Sequence, residues 1–260
     1  MIESSLKLLE LIGKYVILTG RVFKVSILRP PSWILVRDQM YNIGFLSFGV
    51  VAITGFATGL VLAAQSIFQL TDKGLAAVTG IMVTKGMITE LGPILTAFMV
   101  TGRVGAAICA ELGTMKVSEQ IDALQSMSVN PLRYLIAPRF IATIAMFPIL
   151  TVFNVLMGVF GAYLLAIYFF SMPPTTFLSP LPDSITNFDM VMCFIKAFVF
   201  AVIIVTVSCF KGLNTSGGAA GVGSATTNSV VLNYSIILIT NFLLTLGLNL
   251  FHSKFLGGTL

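Results

Sequence analysis

Charged residues are scarce in this chain. Only 10% of its 260 residues are Asp, Glu, Lys or Arg, whereas 57% are hydrophobic and the mean hydropathy is +0.99. An average soluble domain has about 25% charged residues, and a water-soluble fold of this composition would expose large apolar patches. The composition argues against a soluble enzyme, a disordered tail and a nucleic-acid-binding module. It predicts a polytopic membrane protein.

Side chains that bind metals or form disulfides are also few. The sequence has one histidine, His252, and three cysteines, Cys109, Cys193 and Cys209, which form no CxxC pair. A lone histidine is not a metal site, and cysteines in apolar surroundings behave as small apolar residues. We expect neither a metal site nor a disulfide framework.

The chain lacks the phosphate-binding loop of ATPases. That loop needs the pattern GxxxxGK[ST], whose backbone N–H groups surround the phosphates. The sole Gly-Lys step, Gly13-Lys14, is followed by Tyr15. We therefore predict that this chain does not hydrolyse ATP and holds no cofactor of its own.

The N-terminal segment, residues 1–38, is basic and partly apolar. Lys14 interrupts the only apolar run that would suit a secretory signal. The pattern favours a helix in the headgroup zone that ends at Pro30-Pro31, with Trp33 as an interfacial anchor; a solvated basic arm is the alternative. The basic residues of this segment are Lys7, Lys14, Arg21, Lys24, Arg29 and Arg37.

Five stretches are apolar enough for a membrane span, which needs about 20 residues. The breakers Pro173 and Pro174 follow the third, and a Gly/Ser/Thr/Asn-rich connector, 212–228, precedes the fifth. We predict an all-α polytopic protein with an interfacial region, 1–38, and a transmembrane domain, 39–260. The predicted spans are about 43–64, 75–102, 140–170, 190–210 and 229–251.

The basic residues predict the orientation. Segments 1–38, 103–139 and 211–228 hold eleven of the 15 Lys and Arg residues, whereas the opposite face holds only Lys73 and Lys254. Cytoplasmic loops carry such an excess. We predict a cytoplasmic N-terminus and, with five spans, a C-terminus on the other side.

Small residues recur inside the spans. Gly55 and Gly59 form a GxxxG step in the first span, and Gly158 and Gly161 lie close together in the third. Such residues let helix backbones approach in lipid. We favour packing within one subunit over a dimer contact.

Three charges lie within predicted spans, Lys85, Glu90 and Lys196, and we single out Glu90 and Lys196, each in an otherwise apolar segment. An unpaired charge in hydrocarbon is costly, so such residues face a partner, a cavity or water. The predicted span starts place the two at depths that differ by roughly 13 Å, so a direct pair requires offset or broken helices, which Pro93 permits. A polar feature in a translocation cavity, a structural pair, and snorkelling of Lys196 all remain open.

The predicted cytoplasmic segment 103–139 contains a short amphipathic helix, 116–128. Val117, Ile121 and Leu124 lie on one face, and Met127 extends it. The segment is too polar to span the membrane. We expect it to dock into a partner protein or to lie on the headgroups.

Polar residues mark the ends of this helix. Ser118 is a plausible N-cap, Glu119 and Asp122 place negative charge in the first turn, and Asn130-Pro131 stops the helix. Anionic lipid would repel these carboxylates, which favours a protein partner. A membrane subunit without an ATPase motif but with such a helix suggests an ABC-transporter permease.

Several linked motifs follow one another in the middle of the chain. They are Glu90-Leu91-Gly92-Pro93, Gly102-Arg103, Ala110-Glu111-Leu112-Gly113-Thr114-Met115, Glu119-Gln120-Ile121-Asp122-Ala123-Leu124, Asn130-Pro131 and Pro138-Arg139. In this order they resemble one known family, the MlaE/YrbE permeases of bacterial phospholipid ABC transporters. The N-terminus and the late Ala225-Thr226-Thr227 and Val230-Val231 also fit that family.

The resemblance implies a homodimeric permease in the inner membrane of a diderm bacterium. It implies two cytoplasmic ABC ATPase subunits, which bind ATP and Mg²⁺, with a STAS-domain protein bound to them. It also implies a hexameric periplasmic MCE-domain protein that forms a hydrophobic tunnel. Phospholipid would occupy an outward-open cavity between the two permease subunits, and transport would maintain the lipid asymmetry of the outer membrane.

The resemblance also suggests roles for individual residues. The helix 116–128 would carry the closure of the ATPase dimer into the membrane. Polar contacts with the ATPase would come from Glu119 and Asp122, and packing from Ile121, Leu124 and Met127. The expected cavity residues are Leu62, Ile67, Leu70 and Leu91, near the outer ends of the spans or next to Glu90, together with Glu90 and Lys196.

Two other function classes remain at this stage. An ion-coupled secondary transporter would use Glu90 and Lys196 as a relay and would work without an ATPase. A membrane-embedded lipid enzyme would need clustered catalytic groups. The nearest set for such an enzyme is Glu111, Glu119, Asp122 and Arg133.

Overall fold

The computed structural model describes residues 2–28, 30–71 and 78–255. Arg29, Lys73 and residues 75–77, where the second span was predicted to begin, lie outside these ranges. Within them the chain is helical except for short connections. The predicted all-α class is confirmed.

Five segments of the described chain are long and apolar enough to cross a membrane, as the sequence predicted. We refer to them as the first to fifth spans. They comprise Trp33–Leu70, Thr79–Val117, Leu132–Phe169, Asn187–Leu213 and Gly218–Lys254.

The helices within and between these spans are numbered in chain order. Shorter 3₁₀ and π turns join some of them. The helices are α1 Ile2–Leu28, α2 Trp33–Ile43, α3 Phe48–Thr71, α4 Thr79–Gly86, α5 Gly92–Val100, α6 Ala106–Val117, α7 Gln120–Ser126, α8 Ala137–Leu164, α9 Pro174–Leu178, α10 Leu181–Ser184, α11 Asn187–Leu213 and α12 Gly218–Phe255.

The tertiary contacts divide the chain into two compact units. Neither unit is continuous in sequence, and every boundary lies within one of the five spans. The predicted division at residue 38 stays a prediction. Unit 1 comprises 1–45, 100–146 and 201–236, and unit 2 comprises 46–99, 147–200 and 237–260.

The N-terminal segment forms a helix that ends at the predicted prolines. Helix α1 ends at Leu28, just before Pro30, because proline lacks an N–H and clashes with the preceding turn. Val22 is only 2% exposed, and the Tyr15 hydroxyl lies 2.7 Å from Thr206 Oγ1 within unit 1. A helix packed in this way is not a solvated arm. Its location in the headgroup zone stays a prediction.

Two connections predicted as loops are largely helical. The second span continues through residues 103–117, so only residues 118–131 separate it from the third. The prediction of a connector over 212–228 is also wrong, because α12 begins at Gly218. Hydroxyl side chains within the helix donate to carbonyls one turn back, as Thr226 does to Val222 at 2.8 Å. The polar composition that led to the loop prediction is therefore compatible with a helix.

Glycines let the first and third spans approach closely within unit 2. A Cβ on Gly55 would lie 2.5 Å from the carbonyl oxygen of Asn154, and one on Gly59 would overlap the backbone of Gly158. The Asn154 side chain donates to the Val51 carbonyl at 3.2 Å. The prediction that the GxxxG step packs within one subunit is confirmed.

Candidate functional site

Glu90 and Lys196, the two charges singled out by the sequence, meet in unit 2. Lys196 Nζ lies 2.7 Å from Glu90 Oε1 and also donates to the Thr89 carbonyl at 2.7 Å and to Thr245 Oγ1 at 2.8 Å. An ammonium group has three donors, and all three are used. The Lys196 side chain is fully buried, so the snorkelling alternative is wrong.

The carboxylate of Glu90 is equally well bonded. Thr245 donates to its Oε1 at 2.8 Å, and Asn241 donates to its Oε2 at 3.0 Å. We call Glu90, Lys196, Asn241 and Thr245 the polar cluster; it joins the second, fourth and fifth spans. Lys196 is fully buried and Glu90 is 35% exposed, so the ion pair and its hydrogen bonds chiefly offset the desolvation penalty of the lysine.

A proline explains why Lys196 bonds to a backbone carbonyl. In a regular α-helix the Thr89 carbonyl would accept from the N–H of residue 93, but Pro93 has none. The chain forms a π turn over Met87–Leu91, and Gly92 N–H bonds to the Met87 carbonyl. Lys196 supplies the missing donor at Thr89. The helix is therefore distorted at Pro93 but not broken.

The expected depth difference between Glu90 and Lys196 is wrong. The described second span begins at Thr79 and the fourth at Asn187, so the two residues lie eleven and nine positions into their spans. At 1.5 Å per residue the difference is about 3 Å, and the pair forms without an offset.

Sequence reasoning missed two members of the polar cluster, Asn241 and Thr245. Both lie in the fifth span, four residues apart, and so on one face of α12. This spacing was the available signal. Their role was not evident because isolated Asn and Thr residues are common in spans as interhelical hydrogen-bonding groups.

The expected cavity residues are only partly accessible within one chain. Ile67 is 3% exposed and belongs to the core of unit 2, which does not favour contact with an acyl chain. Leu62 and Leu91 pack against that core and are half-buried, as is Leu70. A cavity lined by Leu62, Leu70 and Leu91 stays a prediction.

The predicted cytoplasmic helix exists but is shorter than expected. Helix α7 covers Gln120–Ser126, not 116–128. Ser118 is not its N-cap: the Ser118 hydroxyl donates to the Thr114 carbonyl at 2.8 Å and ends α6. Glu119 occupies the cap position with φ +58°, a left-handed conformation that lets the chain turn sharply between the two helices.

The apolar residues around α7 differ in exposure. Ile121 is 4% exposed and packs within its own chain, and Leu124 is half-buried. Met127 is 65% exposed and Val117 37% exposed. A partner protein would therefore contact Met127 and Val117 more readily than Ile121.

The acidic residues of this region also differ. Asp122 accepts from Lys116 Nζ at 3.1 Å, so it already has a partner in its own chain. Glu119 is exposed at the turn before α7. Of the two carboxylates assigned to the ATPase contact, Glu119 is the more accessible to a partner.

A further ion pair joins α6 and α8 beside this connection. Arg139 Nη2 lies 2.7 Å from Glu111 Oε2, and the Arg139 side chain is 7% exposed against 59% for Glu111. The sequence prediction placed both residues in a cytoplasmic loop, but both lie in helices that continue beyond the predicted span ends.

The set proposed for a lipid enzyme is largely engaged elsewhere. Glu111 pairs with Arg139 and Asp122 with Lys116, while Arg133 donates to the Pro30 carbonyl at 3.3 Å. The structure therefore gives three of the four groups separate partners, which does not favour a shared catalytic site.

The cysteines match their predicted behaviour. Cys109, Cys193 and Cys209 are free and buried. They are packing residues, as the apolar surroundings in the sequence indicated.

Comparison with known proteins decides the family. A family model described as "Permease MlaE" matches residues 36–246. The chain belongs to the MlaE permease family. A probable ABC transporter permease protein of Rickettsia bellii (strain RML369-C) is 39% identical over 244 residues, which cover 94% of each chain.

Two further relatives extend this result. A probable ABC transporter permease protein of Synechocystis is 36% identical over 228 residues, 88% of this chain and 87% of the relative. The Haemophilus influenzae protein named "Intermembrane phospholipid transport system permease protein MlaE" is 34% identical over 212 residues, 81% of each chain. This chain is a non-catalytic, multi-pass membrane permease subunit of an ABC transporter.

Proposed function

We propose that this permease subunit moves phospholipids between the inner membrane and a periplasmic MCE-protein tunnel, and so maintains the lipid asymmetry of the outer membrane. The observation that carries this proposal is the similarity to the Haemophilus influenzae permease, whose name specifies intermembrane phospholipid transport and whose match covers 81% of each chain. The apolar spans and the short polar connections suit a subunit whose substrate is itself a lipid.

The proposed assembly has two copies of this chain. Two cytoplasmic ATPase subunits with a STAS-domain protein bind on one side, and a hexameric MCE-domain protein binds on the other. The excess of basic residues in the predicted cytoplasmic segments supports an inner-membrane location with the N-terminus in the cytoplasm. The absence of GxxxxGK[ST] from the sequence supports a separate subunit that binds ATP and Mg²⁺.

Helix α7 is the proposed contact with the ATPase. It follows the second span after a sharp turn at Glu119, and its exposed neighbours Val117 and Met127 provide apolar contact area. Ile121 fixes α7 to its own chain because it is buried. A displacement of α7 is therefore transmitted to α6, with which it packs.

The polar cluster has a different proposed role. Every donor of Lys196 and both oxygens of Glu90 are bonded within the chain. Such a cluster joins the second, fourth and fifth spans, so that they move together when the lipid cavity changes shape. This role does not require the ions to contact the transported lipid.

The test is reconstitution of the complex with its ATPase in liposomes, with transfer of a labelled phospholipid and ATP hydrolysis measured together. We expect Glu119→Lys to reduce transfer per ATP hydrolysed by about tenfold, the factor that corresponds to 1.4 kcal/mol of lost contact. Normal transfer by Glu119→Lys at normal protein levels contradicts docking through Glu119. Failure of the wild-type complex to transfer phospholipid contradicts the proposed function itself.

Asp122 needs a matched control because it pairs with Lys116. Asp122→Lys breaks that pair, whereas the double variant Lys116→Asp/Asp122→Lys keeps an ion pair with exchanged charges. If Asp122 acts only within the chain, the exchange restores coupling. If Asp122 contacts the ATPase, both variants stay uncoupled. The same assay distinguishes these results.

A secondary transporter that uses Glu90 and Lys196 as a relay would transport without the ATPase. The observation in its favour is the charged pair inside the spans, yet a relay needs groups that exchange protons or ions, and the bonds of this pair are complete. Reconstitution of the chain alone, with an imposed proton gradient, tests it directly. We expect no phospholipid transfer.

A further inference from the structure

A cleft of about 720 Å³ lies within unit 1, and no residue of the polar cluster lines it. Its walls come from the C-terminal part of α1, the start of α2, and the segment 128–134 that follows α7. The volume is within the range of pockets that hold a small ligand, roughly 300–1,000 Å³. Neither the ATPase contact nor the proposed cavity residues use this cleft.

The charge of the cleft has one sign. Lys24 and Arg133 line it, and none of the described lining residues is Asp or Glu. Ser32, Ser128 and Tyr134 add hydroxyl groups. Arg133 is held in place by its bond to the Pro30 carbonyl at 3.3 Å. Two cations with nearby hydroxyl donors are suited to a phosphate group.

Apart from Asn130, the rest of the lining is apolar. Val25, Leu28, Leu35 and Val129 line the same cleft. A free phosphate ion gains nothing from apolar walls, whereas a phospholipid brings a phosphate and acyl chains together. Trp33, beside the lining residue Ser32, is 71% exposed, and tryptophan favours the membrane interface.

We propose that this cleft binds the headgroup of an anionic phospholipid, with the phosphate between Lys24 and Arg133 and the first acyl carbons against Val25 and Leu28. Basic pockets beside membrane helices bind such headgroups. The bound lipid is a resident ligand and differs from the transported lipid. It joins α1 to the segment after α7, and so connects the lipid composition of the membrane to the region proposed to contact the ATPase.

The experiment uses the purified full chain in a non-ionic detergent, without ATPase or transport. Short-chain phosphatidylglycerol, short-chain phosphatidylcholine and inorganic phosphate are titrated separately. The readouts are the fluorescence of Trp33, the single tryptophan of the chain, and the thermal unfolding temperature, which rises when a ligand binds the folded state. We expect phosphatidylglycerol to bind more tightly than phosphatidylcholine, and inorganic phosphate to bind weakly.

The double variant Lys24→Gln/Arg133→Gln should weaken phosphatidylglycerol binding about 25-fold, since each cation near a lipid surface contributes on the order of a fivefold gain. Arg37→Gln is the matched control, because Arg37 is an exposed cation of the same region that does not line the cleft. The Arg37→Gln variant should bind phosphatidylglycerol with the affinity of the wild type.

If the double variant does not fold, the single variant Lys24→Gln is measured in its place. It should weaken phosphatidylglycerol binding about fivefold. Equal binding of phosphatidylglycerol to wild type and cleft variants overturns the proposal. If inorganic phosphate binds as tightly as phosphatidylglycerol, the proposal is also overturned, because the cleft then binds a free anion and not a lipid headgroup. Because no step of this experiment involves transport, either negative result leaves the proposed function intact.

Discussion

Two ion pairs of this permease share one design and differ in how complete they are. In both, the cation is buried and the carboxylate reaches the surface: Lys196 is fully buried beside Glu90 at 35% exposure, and Arg139 is 7% exposed beside Glu111 at 59%. Lys196 uses all three donors. Arg139 bonds through Nη2, but its Nε and Nη1 have no hydrogen-bond partner among the described residues.

The two pairs therefore differ in how many donors of the buried cation are hydrogen-bonded. A buried donor without a partner costs about 1–3 kcal/mol, so native structures rarely keep one without a reason. In the polar cluster both charged groups are bonded within one chain, and only the side-chain oxygen of Asn241 is buried without a partner among the described residues. The bonded pair therefore suits a fixed connection between spans. Among the described residues, Arg139 is bonded at only one of its three guanidinium nitrogens.

We expect the largest effect on stability from a substitution of Glu90, the more accessible member of the Glu90–Lys196 pair. Glu90→Gln leaves the buried ammonium of Lys196 without a counter-charge, and we expect it to destabilise the chain by about 3–5 kcal/mol. Thermal unfolding in detergent measures this. The double variant Glu90→Gln/Lys196→Met, which removes both charges, should recover most of the loss; no recovery would mean that the carboxylate acts through another contact.

The second prediction concerns the bond from Lys196 to the Thr89 carbonyl. Pro93→Ala restores a backbone N–H that competes for this carbonyl, so Lys196→Met should cost less in the Pro93→Ala background than in the wild type. We expect a coupling energy of roughly 0.5–3 kcal/mol in a double-mutant cycle of unfolding stability. Additive effects would show that the lysine does not replace the donor that proline removed.

The third prediction compares the two partners of the incomplete pair. Glu111→Gln removes the negative charge that faces the buried guanidinium of Arg139 and should cost about 1–3 kcal/mol. Arg139→Met leaves a solvent-accessible carboxylate and keeps the buried volume, so we expect a smaller loss of stability. Parallel unfolding measurements test this order, and a reversed order would contradict the assignment of Arg139 as the buried partner.

The sequence predicted much of the architecture because apolar length and breakers are local signals. Five spans, the end of α1 before Pro30 and the close packing of Gly55 and Gly59 all follow from composition and spacing. The span ends were wrong where polar residues continue a helix, as in 103–117 and 218–228. There, side-chain bonds such as Thr226 to Val222 satisfy groups that the pattern assigned to a loop.

The candidate site likewise contains residues that the sequence identified and residues that it missed. Glu90 and Lys196 were identified from their charge alone, because a charge inside an apolar span is costly without a partner. Asn241 and Thr245 were not, since a neutral polar side chain in a span carries no comparable energetic signal. Helix α7 was placed correctly, but its first residue depended on the left-handed turn at Glu119, which no sequence pattern indicated.

The sequence by itself determined that this chain is a lipid-embedded helical permease subunit without an ATPase motif, since apolar length and motif order are properties of the chain alone. Only the tertiary structure decided which polar groups meet: that Lys196 bonds to the carbonyl left open by Pro93, that Asp122 is already paired with Lys116, and that Ile121 packs inward. These outcomes depend on distances between residues far apart in sequence, and helix packing sets those distances.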